Sequence, residues 1–288
     1  MERLKQLYNA YNCDITDESV VLAVRKIIDS DFAKLDNPEV WKKCISLIDL
    51  TSLNTDDTIA RISDLTNRVN TFTRSHKGLK NVAAICVYPA MIECVKSSLK
   101  TKSVGIASVC AGFPASQTFS EVKIAEVAMA VAAGATEIDV VISLGKYLDG
   151  NHSEVFDELN EMRDAARGAK LKVILETGLM PSQRDIKQAA LMAMAAGADF
   201  IKTSTGKTST SATPEAVYTM CKAIKEFYDK TGIRVGIKPA GGIRTAEQAV
   251  EYYAIVNSVL GREWLTPELF RFGATSLLDN LLMKLKNA

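Results

Sequence analysis

The 288-residue chain carries 35 Lys and Arg against 34 Asp and Glu, a net charge of +1 at pH 7, which excludes the charge excess of a nucleic-acid or polyanion binder. With 47% hydrophobic and 24% charged residues it can bury a large core, and global disorder is excluded. At about 150 residues per domain the length suggests two domains, but α/β barrels run to about 250 residues as one.

Residues 1–43 read as an N-terminal helical extension. The opening Met1-Glu2-Arg3-Leu4-Lys5 lacks the apolar run of a secretory signal. Thr16–Ser30 has the spacing of an amphipathic helix, capped by Thr16 or Asp17, with Val20, Val24, Ile27 and Ile28 on its apolar face. This helix is expected to cover one barrel end or an interface, which leaves room for a homo-oligomer. From Cys44 onward, β-branched apolar runs alternate with helical stretches, the pattern of βα units around a parallel sheet. Strands are predicted at Ile45–Leu50, Val82–Val87, Val104–Val109, Glu137–Ile142, Lys172–Glu176, Phe200–Thr203, Val235–Lys238 and Phe270–Phe272. Helical patterns between them include Asp57–Phe72, Glu121–Ala132, Glu154–Ala166, Arg184–Ala195, Pro214–Tyr228 and Ala246–Val259. Eight consecutive units favour a closed (β/α)8 TIM barrel over residues 44–288.

An internal repeat supports this reading. Ala130-Val-Ala-Ala-Gly-Ala-Thr-Glu-Ile-Asp139 aligns without gaps on Ala193-Met-Ala-Ala-Gly-Ala-Asp-Phe-Ile-Lys202, an offset of 202 − 139 = 63 residues, or two βα units. Asp139 and Lys202 therefore fall at equivalent positions of the fourth and sixth strands. Inward side chains from alternate barrel strands share a layer, so the two charges are expected at one level. No stretch reaches the roughly 18 apolar residues of a membrane span, and the six cysteines form no CxxC pair; both point to a cytoplasmic protein.

Charged residues near predicted strand ends carry the functional signal, because barrel active sites lie at the C-terminal ends of the strands. Asp49, Asp139, Glu176, Lys202 and Lys238 all qualify. Lysines ending neighbouring strands repel one another, and that repulsion is useful for making a nucleophilic amine. Bringing a lysine from a pKa of about 10.4 to about 7 takes about 4.6 kcal/mol. A second cation about 4 Å away, at an effective dielectric of about 20, supplies about 4 kcal/mol. On repulsion alone, Lys202 and Lys238 are interchangeable as the nucleophile. An aspartate at the same level can shuttle protons through water.

A second constellation is Thr205-Gly206-Lys207, Ala240-Gly241-Gly242 and Gly273-Ala274-Thr275-Ser276, in the loops after strands six, seven and eight. Exposed backbone N–H groups and a helix start suit a phosphate. Gly206-Lys207-Thr208 imitates the end of a nucleotide P-loop but has Ile201 where that motif requires glycine. His76 and His152, the two histidines, have no partner at ligand spacing, so neither a metal site nor a Ser/His/Asp triad is expected. Cys86 and Cys110 read as packing thiols near the barrel mouth.

Several motifs in order resemble those of the deoxyribose-phosphate aldolase family, cofactor-free class I aldolases: Ile48-Asp-Leu-Thr51, Ala84-Ile-Cys-Val-Tyr-Pro89, Glu137-Ile-Asp-Val-Val141, Ala198-Asp-Phe-Ile-Lys-Thr-Ser-Thr-Gly-Lys207, Gly236-Ile-Lys-Pro-Ala-Gly-Gly-Ile-Arg244 and Arg271-Phe-Gly-Ala274. The resemblance implies reversible cleavage of 2-deoxy-D-ribose 5-phosphate to acetaldehyde and D-glyceraldehyde 3-phosphate, with no cofactor and no metal. It assigns the Schiff base to Lys202, the lowering of its pKa to Lys238, proton relay to Asp139, and polar support to Asp49, with Thr51 beside it in the same motif. Thr205, Gly206, Lys207, Gly241, Gly242, Gly273 and Ser276 would hold the phosphate, with Thr275 standing where bacterial members usually carry serine. Cys86 would lie beside the aldehyde. The chain ends Lys284-Leu-Lys-Asn-Ala288, without the C-terminal tyrosine that some members use in proton transfer, which leaves that task to Asp139 and water. The rival readings are a transaldolase-like barrel acting on another sugar phosphate and a non-catalytic sugar-phosphate binder.

Overall fold

The computed structural model describes residues 2–288. Three helices, α1 (Glu2–Ala10), α2 (Asp17–Leu35) and α3 (Pro38–Ser46), precede the first strand, β1 (Ile48–Thr51). Strand and helix then alternate: α4 (Ile59–Ser75), β2 (Ala84–Val87), α5 (Ile92–Ser98), β3 (Gly105–Cys110), α6 (Ser120–Ala133) and β4 (Glu137–Val141). The fourth crossover holds two helices, α7 (Leu144–Leu148) and α8 (His152–Ala166), before β5 (Lys170–Ile174). The chain finishes with α9 (Gln183–Ala195), β6 (Phe200–Lys202), α10 (Pro214–Thr231), β7 (Gly236–Lys238), α11 (Ala246–Leu260), β8 (Phe272–Ala274) and α12 (Leu277–Lys286).

All ladder pairs are parallel, in the order β7-β6-β5-β4-β3-β2-β1-β8, and isolated bridges Ile237↔Phe270 and Ala240↔Gly273 join the two ends. The sheet thus closes into the expected (β/α)8 barrel. Local chemistry starts half of the described helices. Thr16, Asn37, Thr58, Ser182, Thr213 and Thr245 each cap a helix with a side-chain oxygen, and Thr245 with Gln248 completes a capping box. On α10, Ala216, Met220, Ala223 and Phe227 recur at helical spacing and are buried. The aligned repeat becomes the same device twice, a helix running through a glycine turn into β4 and into β6.

Several predicted boundaries shift. Ile45 and Ser46 belong to α3, because Asn37 caps a helix with Pro38 in its first turn, and the strand starts only at Ile48. The fifth strand ends at Ile174, so Glu176 lies beyond it, in left-handed backbone at φ 54°. The eighth strand is Phe272–Ala274. The helix expected over one barrel end or an interface begins at the Thr16 cap, buries Val20 and Val24, and packs against α10 and α11. α1 packs on α9, and α3 on α11 and α12. No helix among the described residues is long and apolar enough to cross a membrane.

Candidate active site

The strands bring the predicted charges together inside the barrel. Lys202 and Lys238 end β6 and β7 and are direct cross-strand partners. Asp49 and Asp139 were expected at strand ends but sit within β1 and β4, deeper in the barrel. Asp139 Oδ2 accepts from Lys202 Nζ at 2.8 Å and from Lys238 Nζ at 2.7 Å, so the repeat-derived expectation of one level holds. Lys238 also donates to Asp49 Oδ2 at 2.5 Å.

Three further residues complete the cluster. Lys172 of β5 pairs with Asp139 Oδ1 and Glu137 Oε2, each at 2.7 Å, and lies 3.5 Å from Asp49 Oδ2. Arg271 reaches Asp49 Oδ1 at 2.5 Å and Glu137 Oε1 at 2.9 Å. All seven side chains are buried. In the sequence Glu137, Lys172 and Arg271 stand out only as strand or motif positions. Glu137 and Asp139 alternate onto one face of β4, which was a usable signal; Lys172 and Arg271 offered none beyond their charge.

The cluster holds four cations (Lys172, Lys202, Lys238, Arg271) against three carboxylates (Asp49, Glu137, Asp139), an excess of one positive charge. A buried unmatched charge is costly and is relieved when one group gives up its proton. Lys238, Lys172 and Arg271 each touch two or more of these carboxylates, whereas Lys202 touches Asp139 alone. Burial, followed by the Lys238 cation, holds Lys202 below the ordinary lysine value against the pull of Asp139. Burial also acts downward on Lys238, but Asp139 and Asp49 outweigh it and raise its pKa. Burial pushes Asp139 upward, yet Lys172, Lys202 and Lys238 hold it well below the carboxylate range. A Lys202 amine held below the ordinary lysine value, beside a Lys238 whose pKa is raised and an Asp139 held well below the carboxylate range, has the groups needed to add an amine to a carbonyl and move protons around the adduct.

Above Lys202 opens a cavity of about 430 Å³. Its lining joins Thr51 and Lys202 to all the predicted phosphate residues: Thr205, Gly206, Lys207, Gly241, Gly242, Gly273, Thr275 and Ser276. Gly241 has φ +83°, and a Cβ there would lie 2.9 Å from the Gly206 Cα and 2.6 Å from Ser211 Oγ, so the two loops approach as only glycine permits. Ser276 sits at the start of α12, whose first N–H groups face no preceding helical turn. Lys207 Nζ donates to the Leu53 carbonyl at 2.6 Å, and Thr51 Oγ1 to the Asp49 carbonyl at 2.8 Å. Glu176 orients the first loop, accepting from Thr205 Oγ1 at 2.6 Å and from Thr205 N at 3.2 Å. Cys86 is fully buried in a small apolar cluster with Leu53, Ala84, Ala107 and Val109, and burial raises its thiol. His152, expected to have no ligand partner, stacks on Tyr147.

Comparisons agree with this geometry. The profile of the DeoC/LacD family aldolases matches residues 43–280. The chain is 43% identical over 250 residues to the deoxyribose-phosphate aldolase of Mus musculus and 42% identical over 250 residues to that of Homo sapiens; in both cases the match covers 83% of this chain and 78% of the relative. The tetrameric deoxyribose phosphate aldolase of Aeropyrum pernix superposes with a TM-score of 0.70 at 25% identity, covering 91% of this chain and 97% of that one. With the family profile spanning nearly the whole barrel and its buried lysines, the chain belongs to the DeoC/LacD aldolase family.

Proposed function

We propose that this protein is a deoxyribose-phosphate aldolase that works through a Schiff base on Lys202. Its substrates are then a small sugar phosphate and its aldehyde fragments. The observation that carries the assignment of the nucleophile is the charge count: of four buried cations, Lys202 alone touches a single one of the three carboxylates and is held below the usual lysine value. Neutral Lys202 adds to C1 of open-chain 2-deoxyribose 5-phosphate. The carbinolamine loses water to give the iminium, with Asp139 relaying the protons. The iminium draws electrons from the C2–C3 bond as the C3 hydroxyl loses its proton; C3 leaves as the aldehyde of glyceraldehyde 3-phosphate, and an enamine stays on Lys202. Protonation at C2 and hydrolysis release acetaldehyde and restore the amine.

Lys238 and Asp49 keep the cationic field in place, and Thr51 braces β1 through the Asp49 carbonyl. Thr205, Gly206, Lys207, Gly241, Gly242, Gly273, Thr275 and Ser276 hold the phosphate, and Cys86 lies against the two-carbon fragment. Residues 44–288 are the catalytic barrel and 1–43 a helical extension packed on it. Assembly into a homo-oligomer and cytoplasmic residence belong to the same proposal, the former supported by the tetrameric Aeropyrum pernix relative. Borohydride reduction with 2-deoxyribose 5-phosphate, followed by peptide mapping, tests the core of it. An adduct on Lys202 is expected; an adduct on Lys238 exchanges the two lysines, and substrate binding without any adduct rejects the Schiff base.

A further inference from the structure

Beside the phosphate cavity, a more apolar lobe of about 460 Å³ opens at the barrel mouth. Leu144 and Leu148 of α7 and Leu179 form part of its wall, and it shares Thr205 and Lys207 with the phosphate cavity. α7 has five residues, too few for its own hydrogen bonds to hold it, so its place depends on what it packs against. Tyr147, its anchor, is 2% exposed, stacks on the His152 ring with centroids 4.2 Å apart, and donates its hydroxyl to the Asp185 carbonyl at 2.9 Å.

His152 is in turn met by the N-terminal extension. The Tyr8 ring of α1 contacts it edge-on at 5.9 Å, and Tyr8 Oη lies 3.3 Å from His152 Nδ1. The segment carrying Tyr8 is tied to the outer ring beyond that point. Tyr11 stacks on Phe227 of α10 at 6.2 Å, Lys187 of α9 donates to the Asn12 carbonyl, and Asp17 Oδ1 accepts from Gln183 N at 3.0 Å.

We propose that the N-terminal extension is a positioning element of the active-site mouth: Tyr8, acting through His152 and Tyr147, holds α7 where Leu144 and Leu148 wall the lobe beside Lys207. The inference rests on the aldolase reading above. Loss of the contact lets the wall move and admits water next to Lys207, which weakens the grip on a phosphorylated substrate and leaves the chemistry at Lys202 alone.

The test is steady-state kinetics with 2-deoxyribose 5-phosphate for Tyr8→Ala and Tyr8→Phe, in the wild-type and Leu148→Ala backgrounds. Tyr8→Ala is expected to raise KM by about two- to thirty-fold, the range of such couplings, with kcat within about twofold. Tyr8→Phe keeps the ring contact and stays near wild type. In the Leu148→Ala background, Tyr8→Ala adds little, since both changes act on one wall. An unchanged KM in Tyr8→Ala, or the same added increase in both backgrounds, overturns the proposal. If Tyr8→Ala does not yield folded protein, His152→Gln removes the stack from its other member and carries the same expectation and the same overturning result. Borohydride trapping separates the two levels of failure. A wild-type protein that binds substrate but gives no lysine adduct defeats the Schiff-base aldolase reading, whereas an intact adduct with an unchanged KM defeats only the role of the extension.

Discussion

The β2–β3 wall of the barrel interior and the wall built from β1 and β4–β7 differ in almost every physical respect. The first is small and apolar, with Ala84, Cys86, Ala107 and Val109 beneath Leu53. The second carries Asp49, Glu137, Asp139, Lys172, Lys202 and Lys238, locked to one another and to Arg271 by ion pairs of 2.5–3.5 Å. A barrel interior is ordinarily packed with branched apolar side chains, and charges survive there only when paired. The charged wall meets that condition for all but one positive charge. The apolar wall supplies no compensating anion, and the lysine with the fewest partners, Lys202, is the one held below the ordinary lysine value, by burial first and the Lys238 cation second. The reactivity proposed for Lys202 rests on this shortfall of pairing, set against a surface too small and apolar to repair it.

The largest effect is expected where that shortfall is removed. Lys202→Met should leave no turnover above background and no borohydride adduct; activity in this variant would end the Schiff-base account. Asp139→Asn deletes the carboxylate shared by three lysines, and its loss as proton relay should lower kcat by about 10²–10⁴, measured at saturating substrate. Lys238→Met tests the sign of the electrostatics. Lys202 must be neutral to attack, and the Lys238 cation helps to lower its pKa. Without that cation the Lys202 pKa rises, less amine is free at any pH below it, and the acid limb of kcat/KM moves to higher pH by about one to three units. A limb that moves downward would refute this sign.

Lys207→Ala acts outside the charged wall. It should raise KM for the phosphorylated substrate by about 10- to 150-fold, as for a charge-assisted hydrogen bond of about 1.5–3 kcal/mol, and leave the pH limb in place. The smallest change is expected on the apolar wall. Cys86→Ala removes one buried sulfur atom and no charge; the acid limb should stay where it is, the main cost should be to stability, and acetaldehyde kinetics should stay close to wild type. A shifted limb in this variant would mean that the thiol takes part in the charge balance after all.

Much of this comparison was legible in the chain. Alternating runs gave the eight units, the Ala-Ala-Gly-Ala repeat put Asp139 and Lys202 at one level, and the glycine loops pointed to the phosphate cavity. These features follow from local rules: a strand alternates its faces, a cap starts a helix, and a glycine takes the turn that other residues avoid. The strand ends were less legible, because Ile45 and Ser46 are as apolar and small as strand residues and only the Asn37-Pro38 start upstream commits them to α3.

The choice between Lys202 and Lys238 was not written locally at all. It depends on which carboxylates each amine reaches, and those come from β1 and β4, 99 to 189 residues away in the chain for Lys238. Glu137 and Arg271 meet across 134 residues. The sequence by itself determined which residues carry charge, which way their strands face them and how many units close the barrel. Only the tertiary structure decided how deep each charge sits and how many partners it finds, because ionisation in a dry interior depends on summed distances between strands, and no local pattern encodes those.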